Sequence, residues 1–225
     1  ASVADGDMDE AVKLAERILT VDKNNRVARL VVGVRALKQK QYGVAQQNVN
    51  QSIRGPITDL VATLVAGWAS YGAGHTQTAI SNIDKLTGPE WYPIFKDLHT
   101  GMIYELANKQ KEAGARFERA YKLDDSALRV SDAYARWLSR NKDAAAATAV
   151  YAGFDKKLAR HPLVVEGIRE TKAGKKLPPL AENPQQGAAE ALYGIGASLT
   201  RRGGEDLALV YLQLALYLNP NHSLA

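Results

Sequence analysis

The chain of 225 residues contains no cysteine, which excludes a disulfide framework, a thiolate metal site and a cysteine nucleophile. Long apolar runs are missing too. No stretch approaches the roughly 18 consecutive apolar residues of a membrane span, and the first residues lack a charged-then-apolar export signal. Histidine is scarce: His75, His99, His161 and His222 lie far apart, and none stands four residues from another metal ligand, so no metal site is expected. Gly167 and Gly174 are separated by six residues where a phosphate-binding loop needs four, and Lys176 occupies the place of the magnesium-coordinating hydroxyl, so no nucleotide cofactor is expected either. Acidic residues are absent from Lys23 to Thr58. That segment carries seven basic ones (Lys23, Arg26, Arg29, Arg35, Lys38, Lys40 and Arg54) on a chain of net charge +5.

What the chain does have is a ruler. Ala11, Ala45, Ala79, Ala113 and Ala147 follow one another at intervals of 34, and Ala208 opens an equivalent segment after a gap of 61. Twelve positions before each anchor from the second onward stand Gly33, Gly67, Gly101, Ala135 and Gly196, all small enough for two helices to approach closely. In the last segment Leu192, Ile195, Gly196 and Leu199 precede Gly203, Ala208, Leu212, Ala215 and Pro220. The period, the paired small residues and this last pattern resemble the tetratricopeptide repeat (TPR) family, over residues 6–158 and 187–220. The resemblance implies an all-α, right-handed TPR-like helical solenoid of antiparallel helix pairs. It also implies a non-catalytic protein-protein interaction scaffold, without cofactor, whose groove takes a peptide or helix of a partner.

Breakers and caps place the helices at 7–21, 26–39, 41–53, 57–72, 76–87, 93–107, 110–122, 127–140, 143–158, 187–202 and 204–218. Asn24-Asn25, Gly55-Pro56, Gly88-Pro89, Asp124-Asp125-Ser126 and His161-Pro162 separate them. Residues 1–225 read as a single solenoid with an irregular unit at about 159–186, where Leu163 to Ala173 form one helix and Pro178-Pro179 force an extended course. Residues 174–184, lacking a complete two-helix unit, are expected to be loosely held. The chain begins on the second helix of a repeat and ends on what looks like the start of another, so a longer repeat protein is expected.

In the TPR family the first helix of each pair lines the concave surface. Transferred to this sequence, that surface carries Leu30 and Val34, then Leu64, Trp68 and Tyr71, then Phe95, Leu98 and Met102. Two readings of this apolar stripe stay open: packing against neighbouring helices, or a groove for a partner segment, a second copy, or further segments of the protein itself. The next pair is cationic on the same arc, with Arg129, Arg136 and Arg140 beside Asp132 and Ser139, and guanidinium forks suit carboxylates. Glu105 and Asp132 read as solvated side chains. The partner expected is a protein or peptide, with Trp68 as its central anchor. A membrane-surface or nucleic-acid adaptor is the alternative, suggested by the basic run, although nucleic acid is disfavoured because no aromatics interleave with the basic residues. Several segments also look like larger exported TPR proteins of Gram-negative bacteria, so the periplasm is favoured over the cytoplasm.

Overall fold

The computed structural model describes residues 2–3, 5–52, 56–200 and 204–225, and the backbone alone of Pro56 and Thr58. Arg54, Gly55, Arg201 and Gly203 lie outside the described residues. Among those described, regular structure is entirely helical: α1 Met8–Val21, α2 Arg26–Lys38, α3 Tyr42–Asn50, α4 Pro56–Gly72, α5 Thr76–Lys85 and α6 Tyr92–Leu106, followed by α7 Gln110–Leu123, α8 Leu128–Asn141, α9 Ala144–Asp155, α10 Pro162–Lys172, α11 Pro184–Thr200 and α12 Glu205–Leu218.

The starts of these helices follow from short polar side chains. Asp7, Asn25 and Asp143 each accept a hydrogen bond from the backbone N–H three residues on, at 3.0, 3.1 and 2.7 Å, satisfying an amide that the first turn leaves open. Asn183 does the same for Gln186 at the head of α11. The stops obey the repeat. Lys40, Gly74 and Asn108, again 34 residues apart, are left-handed with φ of 61, 87 and 59°. Each of the next residues donates its N–H to a carbonyl five back: Gln41 to Ala36, His75 to Ser70 and Lys109 to Tyr104. This bonding closes the last turn of α2, α4 and α6 and sends the chain back along the preceding helix. Only Gly74 suits that backbone freely; Lys40 and Asn108 carry a Cβ through it.

The pairs close where the ruler puts them. Every anchor alanine is buried. A Cβ on Gly33 would meet Val49 of α3 at 2.5 Å, one on Gly67 would meet Ile83 of α5 at 2.7 Å, and one on Gly101 would meet Phe117 of α7 at 2.8 Å. On Gly196 it would lie 3.2 Å from Leu212 of α12. Only a missing side chain allows so close an approach between the two helices of a pair.

Cα packing divides the chain into two compact units. The first comprises residues 1–89 and 183–225; the second comprises residues 90–182. In the first, α1 packs on α2, the pairs α2/α3 and α4/α5 stack through α3 and α4, and the α11/α12 pair joins them through α4 and α2. In the second, α6/α7 and α8/α9 stack through α7 and α8, and α10 lies against α9 and α8.

Candidate interaction site

The eleven candidate residues divide between the units. Leu30, Val34, Leu64, Trp68 and Tyr71 fall in the first, and Phe95, Leu98, Met102, Arg129, Arg136 and Arg140 in the second.

In the first unit the apolar stripe is core. Leu30, Val34, Leu64 and Trp68 are buried, and Trp68 is 0% exposed. α11 lies across the indole: a Cβ on Gly187 would meet the Trp68 ring at 2.3 Å. The polar edge of this contact is satisfied as well. Gln185 Nε2 donates to the carbonyl of Leu37 at 2.8 Å, and Lys38 Nζ donates to the carbonyl of Leu218 at 3.1 Å while lying 5.6 Å from the centre of the Tyr217 ring. Trp68 is therefore not an open anchor for a partner, because the chain's own last helix pair occupies that face. Tyr71 stays partly exposed, its ring edge-on to Trp68 at 6.0 Å. A cavity of about 240 Å3, lined by Gln46, Asn50, Thr63, Asn82 and Lys85 among others, lies beside Gly67.

The basic run serves this unit in part. Arg29 Nε donates to the carbonyl of Lys23 and its Nη1 to Asn48 Oδ1, both at 2.8 Å, and Lys38 is engaged as described. These two of the seven cations are thereby committed to the fold.

In the second unit Leu98 and Met102 are buried, whereas Phe95 is partly exposed against Trp91. The carboxylates are not solvated as expected. Asp132 is 0% exposed: it accepts from Arg129 Nη1 at 3.0 Å, from Arg136 Nε at 2.8 Å and from the Tyr151 hydroxyl at 2.6 Å. Burial first, and then the charge of Asp132 and its hydrogen bond, hold the Tyr151 hydroxyl protonated far beyond the ordinary phenol range. Glu105, 7% exposed, pairs with Arg140 Nη2. Desolvation raises its pKa, against the opposing pull of Arg140 and Arg136. Three donors around Asp132 offset its loss of water, whereas the single guanidinium on Glu105 offsets it only in part.

The two arginines one turn apart on α8 then reach forward. Arg136 Nη1 donates to the carbonyl of Pro178 at 3.2 Å, and Arg140 Nη1 donates to the carbonyl of Leu177. Between them Ser139 gives its proton to the carbonyl of Arg136 at 2.7 Å, leaving its oxygen to accept the Leu177 N–H at 2.9 Å. Leu177 and Ala181 are buried, at 3 and 1% exposure. Residues 175–182, expected to be loosely held, thus form a docked extended strap, because side chains of α8 satisfy the backbone groups that no helix or sheet satisfies.

Ser139 and the strap are the parts of this contact that a search for exposed side chains misses. Their signal was the Pro178-Pro179 pair, which sets an extended course, opposite an arc carrying two arginines.

No protein-family model and no curated protein matches the chain. Among solved structures, it is similar to YrrB, described as a TPR protein with an unusual peptide-binding site, at 14% identity and a TM-score of 0.41 over 93% of this chain and 94% of that one. It is also similar to the MamA protein, at 14% identity and a TM-score of 0.42 over 89% of this chain and 96% of that one. Likenesses this distant leave the fold to be judged on the chain's own geometry. The fold is all-α, built of TPR-like helix pairs. The 34-residue recurrence of anchors, close contacts and left-handed turns carries that statement. Among the described residues no cluster of three His, Cys, Asp or Glu could hold a metal, and no helix is long and apolar enough to cross a membrane.

Proposed function

We propose that the chain is a non-catalytic protein-interaction scaffold, and that its partner site is the α8 arc of the second unit, where it takes an extended segment of another protein. The observation that carries this reading is the clamp of Arg136, Ser139 and Arg140 on one N–H and two carbonyls of a two-residue stretch of main chain. Asp132 and Glu105 hold the two guanidinium groups from behind, so the forks are aimed before any ligand arrives, which lowers the ordering cost of binding. Contacts to main chain accept many sequences, while an adjoining buried position such as that of Leu177 selects an apolar side chain.

The test is a nuclear magnetic resonance titration of the full chain with extended apolar-and-proline peptides at millimolar concentration. Shifts of the Arg136 and Arg140 guanidinium resonances are expected, and their loss in an Arg136→Ala/Arg140→Ala double variant. If neither the native chain nor a strap-loosened variant responds to any such peptide, the scaffold reading on this face is wrong.

A further inference from the structure

We infer that the strap of residues 175–182 is a self-ligand: it occupies the α8 clamp in competition with a partner segment of the same chemistry, an apolar residue followed by prolines in extended conformation. This rests on the scaffold reading above and adds its regulation and its ligand class.

The chemistry of the occupant argues for it. A connection between two helices needs only to span a distance, and a solvated loop would do so. This one instead places Leu177 in a buried position and offers the clamp its N–H and two successive carbonyls. Two prolines follow, so neither of the next two residues has an N–H to leave unsatisfied against the face. Pre-set proline dihedrals also lower the entropy lost on docking an extended chain. Lys175, Lys176 and Pro178 are exposed, and the side chains that the strap buries against the unit are those of Leu177 and Ala181. Two buried side chains and three main-chain hydrogen bonds to α8 form a contact that opens locally without unfolding the helices beneath it. While it is closed, the apparent affinity for any competing segment falls by the fraction of molecules with the clamp open.

The experiment uses a fluorescent peptide of residues 173–182 as probe and the full chain as receptor. In Leu177→Asp the strap loses its buried side chain, whereas Arg136, Ser139 and Arg140 are untouched. Peptide affinity is expected to rise about 10-fold or more over the native chain, and Arg140→Ala added to that variant is expected to remove the gain. In the native chain, saturating peptide should speed hydrogen exchange of the Leu177 amide, since its bond to Ser139 is then lost. Should Leu177→Asp fail to fold, as judged by its helical circular dichroism, Pro178→Gly/Pro179→Gly weakens the strap without inserting a charge and replaces it. Equal peptide affinity in native and loosened chains, with the Leu177 amide unchanged, overturns the self-ligand and leaves the scaffold reading standing. Absence of binding in both overturns the two together.

Discussion

The two units face the same problem and solve it differently. Each has first helices whose arc the repeat register turns away from the partner helix of the pair, and in each part of that arc is covered by the chain itself. In the first unit the arc is apolar and the cover is a helix pair, seated by a glycine on an indole. In the second the α8 part of the arc is cationic and its cover is one extended segment, held by two guanidinium groups and a hydroxyl. The difference follows from the side chains. A broad apolar surface is stabilised in proportion to the area withdrawn from water, which favours a large, flat-sided cover such as α11/α12. A row of arginines gains nothing from an apolar helix face, whose carbonyls are already bonded within the helix. It needs free carbonyls, and an extended segment supplies them.

The same contrast separates a permanent cover from a removable one. Loss of α11/α12 from the first unit would bare Trp68, a large ring with no exposed surface. Loss of the strap would bare the Leu177 and Ala181 positions and two arginines that retain their carboxylate partners.

The largest expected effect is therefore at Trp68. Trp68→Ala should destabilise the first unit by ~3 to 5 kcal/mol, through lost burial and the cavity left under Gly187. Hydrogen exchange resolved by segment checks it: protection should fall in α4 and α11 and hold in α8. A uniform loss across both units would break the distinction between them. Next comes Asp132→Ala, which leaves Arg129 and Arg136 without their buried counter-charge and the Tyr151 hydroxyl without its acceptor. A loss of about 3 kcal/mol is expected for a broken buried pair, reduced where the arginines can turn to water. A thermal melt with α8 and α9 followed separately measures it. Peptide binding should fall with it, since Arg136 is no longer aimed.

A smaller effect sharpens the account of the strap. Ser139→Ala removes the acceptor of the Leu177 N–H, at ~1 kcal/mol for an unpaired, partly relieved donor. Trypsin should then cut after Lys175 or Lys176 faster than in the native chain, with no change in the melt of the first unit. An unchanged cleavage rate would mean that the arginines alone hold the strap.

The smallest expected effect is on pH dependence. Burial raises the pKa of Glu105 above its ordinary value of 4.5, so the native state holds this proton more tightly than the unfolded chain does. Its stabilising contribution is then fully present below the ordinary value and is lost as pH rises through the raised native value. Glu105→Gln should flatten that part of the stability profile of the second unit. A slope unchanged by the substitution would place its origin elsewhere.

Much of the fold was legible because a repeat is a local code. Anchors, small residues and turn positions recur at one interval, so each pair announces itself by spacing alone; the helix limits agree with the breakers to within about three residues at almost every end. The site was legible only in part. Leu30, Val34, Leu64 and Trp68 read as one apolar stripe, and all four are buried; whether they faced solvent could not be read, since an apolar stripe looks the same whether it is core or groove. Glu105 and Asp132 misled for the same reason. A carboxylate in a list of residues looks solvated until its guanidinium partners, one of them 35 positions away, are brought beside it.

Local terms follow from the order of residues alone: the helix pairs, their close junctions, the extended course at Pro178-Pro179 and the cationic character of α8. These depend on neighbours within one repeat, where backbone geometry and capping leave few choices. Tertiary structure alone decided what covers each arc. That residues 183–225 return to complete the unit begun by residues 1–89, and that a two-residue stretch of connecting chain lies in the arginine clamp, are matters of long-range packing. Such contacts join segments with no fixed separation in the chain, and apolar burial, being non-directional, accepts any cover of the right size and shape.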